Sequence, residues 1–196
     1  MINLPIIITT RLMLRPLSKK DAKAIFRYAQ LPNVGPSAGW NPHHTMQDTY
    51  EFIEYALNKR KLNQPGVWVI EEKASNEVIG TIEIHSFEGY KGEIGFVLHP
   101  DYWNKGYMTE ASEAVMIYAF EELLMSRLAY CHFLDNYASR RVREKLGFKV
   151  EGIKRRGFKH ANGKVLDEIV SSFTKDDYFE EETRFNSVKE KITIIK

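Results

Sequence analysis

A single cysteine, Cys131, stands among 196 residues, so no disulfide can close within the chain. That excludes the small folds held by disulfide frameworks and suits a reducing compartment. Cys131 lies in the apolar run RLAYCHFL, where a thiol reads as a small core side chain rather than a nucleophile. Long hydrophobic runs are also missing. No apolar stretch reaches the roughly 18 residues of a membrane span, and MINLPIIITT lacks the basic segment of a secretory leader. We therefore expect a cytoplasmic protein with no membrane partner. An excess of one charge is missing too, since 28 Lys and Arg face 26 Asp and Glu for a net charge of +2. This balance makes no case for a nucleic-acid partner, although ASRRVREK and GIKRRGFKH gather basic groups locally. The six histidines, His43, His44, His85 and His99 among them, show no ligand spacing with cysteine or carboxylates, so no metal is expected.

What is present describes an ordinary globular chain. Hydrophobic residues make up 43% and charged residues 28%, and 11 Phe, 10 Tyr and 3 Trp supply bulk for a core. No internal repeat or low-complexity linker divides it. We expect one domain over residues 1–184, followed by a tail, 185–196, whose ITIIK could add a strand or stay loose.

TTRLMLRPLS alternates and reads as a first strand, and Ser18 is placed to cap a helix, KKDAKAIFRYAQ, that stops before Pro32. NVGPSAGWNPHHT is a Gly/Pro-rich loop too long for a simple connection. Thr45 then caps MQDTYEFIEYALNKRK. VWVIEEK, EVIGTIEIHS and GEIGFVLH read as an antiparallel meander whose turns suit hairpins. MTEASEAVMIYAFEELL is apolar nearly all round from Ala114 to Phe120 and predicts a buried helix. A strand, RLAYCHFL, a helix, ASRRVREKLG, and the strands FKVEGIKR and KVLDEIVSSFT complete the order. This is a mixed α/β chain with a largely antiparallel sheet and one βαβ-like crossover through the buried helix.

HPDYWNKGYMTEA, residues 99–111, is over-furnished for a turn. A helix starting near Met108 or Thr109 offers free N–H groups and the positive end of its dipole to an anion. Gly106 allows close approach, Lys105 adds charge and Thr109 adds a hydroxyl, a set suited to a diphosphate. The motifs GxxxxGK[ST] and GxGxxG are absent. On spacing alone, Gly106 could equally just make the turn and Lys105 be a solvated charge.

EIGFVLHPDYWNKGYMTEA resembles the acyl-CoA-binding segment of the GNAT N-acetyltransferases, in the branch that includes the ribosomal-protein alanine and serine N-acetyltransferases. Asn104 stands where that branch usually has glycine. DNYASRRVREKLGFKVEG and the opening TTRLMLRPLSKKDA match the same branch in order, so the resemblance spans about residues 9–174. It implies a GNAT fold: a mostly antiparallel central sheet splayed between strands 4 and 5, with flanking helices. Acetyl-CoA would lie in that wedge as donor co-substrate. Backbone groups of Phe96, Val97 and Leu98 would pair with its pantetheine arm, and N–H groups of Asn104, Lys105, Gly106, Tyr107, Met108 and Thr109 would hold its pyrophosphate. Asn136 would bond the pantetheine region, and Arg141 would approach a phosphate or stay on a solvated helix face.

Acetyl transfer to an amine needs a neutral nitrogen, a stabilised oxyanion and a protonated leaving thiolate. A backbone N–H near Val97 or Leu98 is the natural oxyanion donor. The resemblance places a general acid at Ser139, with Tyr137 in reserve, although Ser139 could instead be a helix cap. The base is open: the glutamate of some branch members falls in GIKRRGFKH, which has none. Glu93 and Glu83 could serve, or be cross-strand charge partners. Neutralising an α-amine at pH 7 costs about 1 kcal/mol against about 4 to 5 for a lysine amine, so a site with no evident base favours α-amines. Trp40, in the loop that walls the acceptor pocket in this family, would touch substrate or anchor the loop.

The expectation is a monomeric or homodimeric N-acetyltransferase acting on a primary amine, preferably a protein N-terminus, without a covalent enzyme intermediate. A small-molecule acceptor, such as an antibiotic or a polyamine, is the second reading; the loop 33–45 has no Asp or Glu for a polycation. A CoA-binding module without turnover is the third, and a nucleic-acid binder built on the basic clusters is the weakest.

Overall fold

A computed structural model describes residues 4–196, the Arg60 side chain excepted. One nine-stranded sheet runs through these residues in the spatial order β7-β8-β6-β5-β4-β3-β2-β1-β9. In chain order the strands are β1 (Ile6–Ile8), β2 (Leu12–Pro16), β3 (Gly66–Glu72), β4 (Glu77–His85), β5 (Lys91–Leu98), β6 (Arg127–Phe133), β7 (Lys149–Lys159), β8 (Val165–Thr174) and β9 (Thr193–Ile195). The helices are α1 (Ala22–Ala29), α2 (Met46–Lys61), α3 (Tyr107–Ile117), α4 (Tyr137–Leu146), α5 (Lys175–Glu180) and α6 (Glu182–Lys189).

The run VWVI in β3 is buried on both faces because the sheet lies between two apolar clusters. Val67 and Val69 pack with Ile25, Tyr28 and Ile53 of α1 and α2. Trp68 and Ile70 turn the other way, into a cluster with Ala111, Val115 and Met116 of α3. The buried Trp68 indole donates to the Pro5 carbonyl at 2.8 Å, so its one polar atom is satisfied. As its sequence leads one to expect, the helix is buried all round from Ala114 to Phe120, and α3 ends in a π-helical turn over Tyr118–Glu122 that periodicity does not announce.

The N-terminal end differs from expectation, and the C-terminal end takes the first of its two expected forms. Ile6–Ile8 forms a strand ahead of the first one expected, and the ITIIK segment adds β9 beside it, with Ile7 opposite Ile194. Strands 4 and 5 of the sequence reading are therefore β5 and β6. Ser18 is the N-cap, as expected, and forms a capping box with Asp21, but the first turn after it is a 3₁₀ turn, and α1 begins at Ala22.

The feature that positions everything else is the junction of β5 and β6. They run parallel but pair only from Lys91 opposite Arg127 to Glu93 opposite Ala129. Beyond Glu93, β5 keeps its bonds to β4, while β6 follows β8 along its whole length. The β3–β4 register shifts at Ile70/Glu71, and near this irregularity Gly80 brings β4 tight against β5. A Cβ at Gly80 would sit 2.3 Å from the Val97 carbonyl oxygen, so only glycine permits that approach.

Candidate active site

A cavity of about 510 Å³ fills the opening between β5 and β6. Its first half is made largely of backbone. His99 N–H donates to the Ile79 carbonyl of β4 at 2.7 Å, and the Val97 carbonyl also faces β4. The alternation of a strand then turns the backbone groups of Phe96 and Leu98 to the unpaired edge. The Leu98 carbonyl is taken by the Trp103 indole N–H at 2.8 Å, which leaves its N–H to the cavity. Val97 contributes a side chain instead. Of the two expected oxyanion donors, Leu98 has the orientation and Val97 does not; Phe96 shares that of Leu98.

β5 runs into α3 through a 3₁₀ turn at Pro100–Tyr102. Asn104 and Gly106 take left-handed backbone angles, with φ of 60° and 80°. The first intrahelical bond is from Glu110 N–H to the Gly106 carbonyl, at 3.1 Å. The N–H groups from Gly106 to Thr109 therefore precede the helical ladder, with the dipole aligned behind them. Arg11 braces this turn: its guanidinium donates to the Lys105 carbonyl at 2.9 Å and to Glu110 at 2.6 Å, and it lies 4.3 Å over the Tyr107 ring. Tyr107 in turn donates to Glu72. Asn104, Gly106, Tyr107, Met108 and Thr109 line the cavity. Lys105 does not; its ammonium stands 5.4 Å over the Tyr102 ring.

Helix α4 closes this half. Its cap is Asn136, whose side-chain oxygen accepts from Ser139 N–H at 3.0 Å, so Ser139 is not the cap. The Asn136 amide N–H₂ donates to the Ser37 carbonyl, also at 3.0 Å. Ser139 Oγ lines the cavity and lies 2.8 Å from the Tyr130 hydroxyl, which also reaches the Ser139 carbonyl at 2.9 Å. When Tyr130 donates to Oγ, the serine proton is free to point into the cavity. When it donates to the carbonyl, Oγ–H turns to the phenol oxygen. Burial pushes the Tyr130 phenol up, so it remains a neutral donor. Tyr137 is 69% exposed on the first turn of α4 and lies off the cavity. Arg141 and Lys145 line the rim from the exposed face of α4.

The second half is made of side chains from many elements. β5 contributes Glu93, β6 Cys131 and Phe133, β7 Phe158, and β8 Glu168. Gly95 leaves room for the His85 imidazole of β4, which would come within 3.0 Å of a Cβ there. Burial, then Glu93, push the Cys131 thiol up, so it stays protonated and is a poor nucleophile. Val34, Ser37 and Ala38 line the cavity from the loop between α1 and α2. That loop is tied across to the β7–β8 hairpin: His160 Nε2 lies 3.2 Å from the Pro36 carbonyl, and Ala161 N–H donates to the Gly39 carbonyl at 3.3 Å. Trp40 lies beneath it, against Gly35 and 5.1 Å from the His43 ring, and does not line the cavity. The loop walls the pocket, as expected, while its indole anchors the loop. Glu83 is held by Lys59 at 2.7 Å, away from the cavity.

Among the described residues, no group of His, Cys, Asp and Glu could hold a metal ion, and no helix is long and apolar enough to cross a membrane. Sequence reasoning missed Arg11, Tyr130, His85 and Glu168. Arg11 stands in TTRLMLRPLS, but its role appears only when β2 is placed beside α3.

Comparisons with known proteins agree with this fold. The family model described as "Acetyltransferase (GNAT) domain" matches residues 11–149. The uncharacterised N-acetyltransferase YoaA of Bacillus subtilis (strain 168) is 32% identical over 173 residues, 87% of this chain and 97% of that protein. Among solved structures, a GNAT-family acetyltransferase from Bacillus anthracis superposes with a TM-score of 0.77 at 28% identity, over 87% of this chain and 99% of its own. A ribosomal-protein-S5-alanine acetyltransferase from Vibrio fischeri shares the fold, with a TM-score of 0.70 at 24% identity, over 86% of this chain and 95% of its own.

Proposed function

The chain belongs to the GNAT acetyltransferases, a family that uses acetyl-CoA, and from that premise we propose that it acetylates a primary amine, with the α-amine of a protein N-terminus as the acceptor class. The observation that carries this reading is the open β5 edge, which runs from the unladdered N–H groups of α3 to Ser139 and two carboxylates within one cavity.

Acetyl-CoA supplies an activated acyl carbon and a thiolate leaving group. The residues present fit it. Phe96 and Leu98 offer backbone groups to an extended arm, and the N–H groups at Gly106–Thr109 suit a diphosphate, with Arg141 and Lys145 on the rim. An N–H of Phe96 or Leu98 donates to a carbonyl oxygen placed at the edge, where excluded water strengthens the bond. Ser139 Oγ hands its proton to the leaving sulfur and regains one from solvent through the cavity, while the neutral Tyr130 hydroxyl, at 2.8 Å, donates to Oγ and steadies it. The protonated Cys131 favours direct transfer over an acyl-cysteine route.

Two features support an α-amine over a polycation. An α-amine sheds its proton near pH 8, about two units below a lysine amine. The second half of the cavity presents Glu93 and Glu168, and Glu168 already faces Lys154 at 3.8 Å, so the net negative charge there suits one ammonium. The strands supply this acidity, which the loop 33–45 lacks. The test is thiol release from acetyl-CoA with Ser- and Ala-initiated peptides, an N-terminally blocked lysine peptide and spermidine. Free N-termini should be the better substrates. Efficient turnover of the blocked peptide or of spermidine, with none on free N-termini, would overturn the acceptor class.

A further inference from the structure

A carboxylate withdrawn from water is ordinarily surrounded by hydrogen-bond donors. Glu168 instead keeps its carboxylate oxygens open to the cavity. It is 9% exposed on β8 and lines the cavity, yet no N–H or O–H of the described residues donates to its side chain. Its one ion pair is with Lys154, from β7, at 3.8 Å, and that side chain is 63% exposed. The charged and titratable groups facing it are Glu93 from β5, Cys131 from β6 and Lys154 from β7. His85 of β4 stands behind Glu93 at 3.8 Å. The arrangement has acceptor oxygens and lacks a donor, and an ammonium group has the shape and charge to supply one.

Resting on the amine-acetylation reading above, we propose that Glu168 is the proton acceptor for the incoming amine and that Glu93 helps to seat its ammonium form. One N–H bond of the ammonium breaks and one O–H bond forms on a Glu168 oxygen. The charges of ammonium and carboxylate are cancelled together, and the nitrogen lone pair is left free to attack an acyl carbon. The Glu168 proton is lost to solvent before the next turnover. Glu168 rather than Glu93 takes the proton because Glu93 is already engaged by the Cys131 thiol and neighbours His85, and its side chain is 27% exposed against 11% for Glu168. Burial raises the Glu168 carboxyl, Lys154 opposes that, and Glu93 adds to it, which brings the group nearer the working pH of a base.

Two measurements test this. In protein labelled with ¹³C-glutamate, the Glu168 carboxyl signal, assigned with the Glu168→Gln and Glu93→Gln variants, should titrate above the ordinary carboxylate range. It should also move when ethylammonium chloride is added. In thiol-release assays with a Ser-initiated peptide between pH 5.5 and 9, Glu168→Gln should lower kcat/KM by about 10²- to 10³-fold and abolish its acid limb. Acetyl-CoA affinity should stay within about twofold, which also shows that the variant folds. A Glu168 signal that titrates ordinarily and ignores ethylammonium would overturn the proposal, as would a Gln variant with the wild-type rate and acid limb. Should the signal respond while the wild-type protein acetylates no peptide, the ammonium seat stands and the acceptor class fails.

Discussion

The two halves of the cavity are built from different materials. The half that would take the donor, in the function proposed above, is mostly main chain, namely the free edge of β5 and the N–H groups at the start of α3. The acceptor half is mostly side chain, with His85, Glu93, Cys131, Phe133, Phe158 and Glu168 contributed by β4, β5, β6, β7 and β8. Main-chain recognition tolerates substitution wherever the backbone path survives, and it fails where a residue permits that path. Side-chain recognition fails one atom at a time.

Substitutions can sharpen or break this contrast. The largest effect after Glu168 should come from Ser139→Ala, which removes a proton source and spares the backbone cradle. We expect kcat to fall about 10²-fold with acetyl-CoA affinity unchanged, read by stopped-time thiol release and calorimetry. A parallel loss of affinity would place Ser139 in donor binding instead. Gly106→Val attacks the other half, forcing a β-branched residue to hold a φ of 80°. Acetyl-CoA should bind about 10- to 50-fold more weakly while kcat at saturation changes little, and unchanged binding would show that the cradle does not depend on this turn.

A smaller effect concerns the strands beneath the acceptor half. Glu151 of β7 accepts from Arg127 of β6 at 2.5 Å and from Ser172 of β8 at 2.8 Å. Arg127, then Ser172, hold its carboxyl down at about 2 against an ordinary 4.5. Such a depressed group contributes stability above its unfolded value and loses it as the pH falls through the folded one. Glu151→Gln should therefore lower stability at pH 7, by less than about 1 kcal/mol for so exposed a pair. Urea titrations should show the gap closing as the pH falls from about 4.5 towards about 2. A gap independent of pH would mean that packing, not charge, joins these strands. The smallest effect should be that of Tyr137→Phe. With the side chain 69% exposed and off the cavity, kcat should change less than about twofold, whereas a loss like that of Ser139→Ala would move the proton source to Tyr137.

The same contrast decides what could be read from the sequence. The donor half is contiguous, so HPDYWNKGYMTEA displays its glycine, its polar residues and its helix start together. Even so, which backbone groups of Phe96, Val97 and Leu98 face the wedge depends on strand parity, set by the β4 pairing. Lys105, conspicuous in the motif, turns out to lie outside the cavity. The acceptor half is scattered. Glu168 sits in KVLDEIVSSFT, where alternation announces only a strand. Its place in the cavity follows from β8 lying between β6 and β7, which sets Glu168 opposite Phe133, and from the β7–β8 register shifts at Val150/Gly152 and Lys154/Phe158. Trp40 is conspicuous for its place in the Gly/Pro-rich loop, and its packing against Gly35, off the cavity, is something the loop sequence does not disclose. At the ends, IIITT is too short to predict as a strand alone and ITIIK leaves a strand and a loose end both open; the two stabilise one another by pairing across the chain.

The short parallel contact between β5 and β6 has a thermodynamic side. Past Glu93 the sheet forgoes a row of main-chain hydrogen bonds that continuous strands would form. That deficit is borne by the folded state alone, because in the unfolded chain both edges are satisfied by water. A molecule that bridges the gap restores what the sheet lacks and binds only the folded form. Occupancy should therefore register as heat resistance: a donor present at a hundred times its dissociation constant adds about 2.7 kcal/mol to unfolding. The opening that admits the ligand thereby makes the melting temperature a gauge of its concentration.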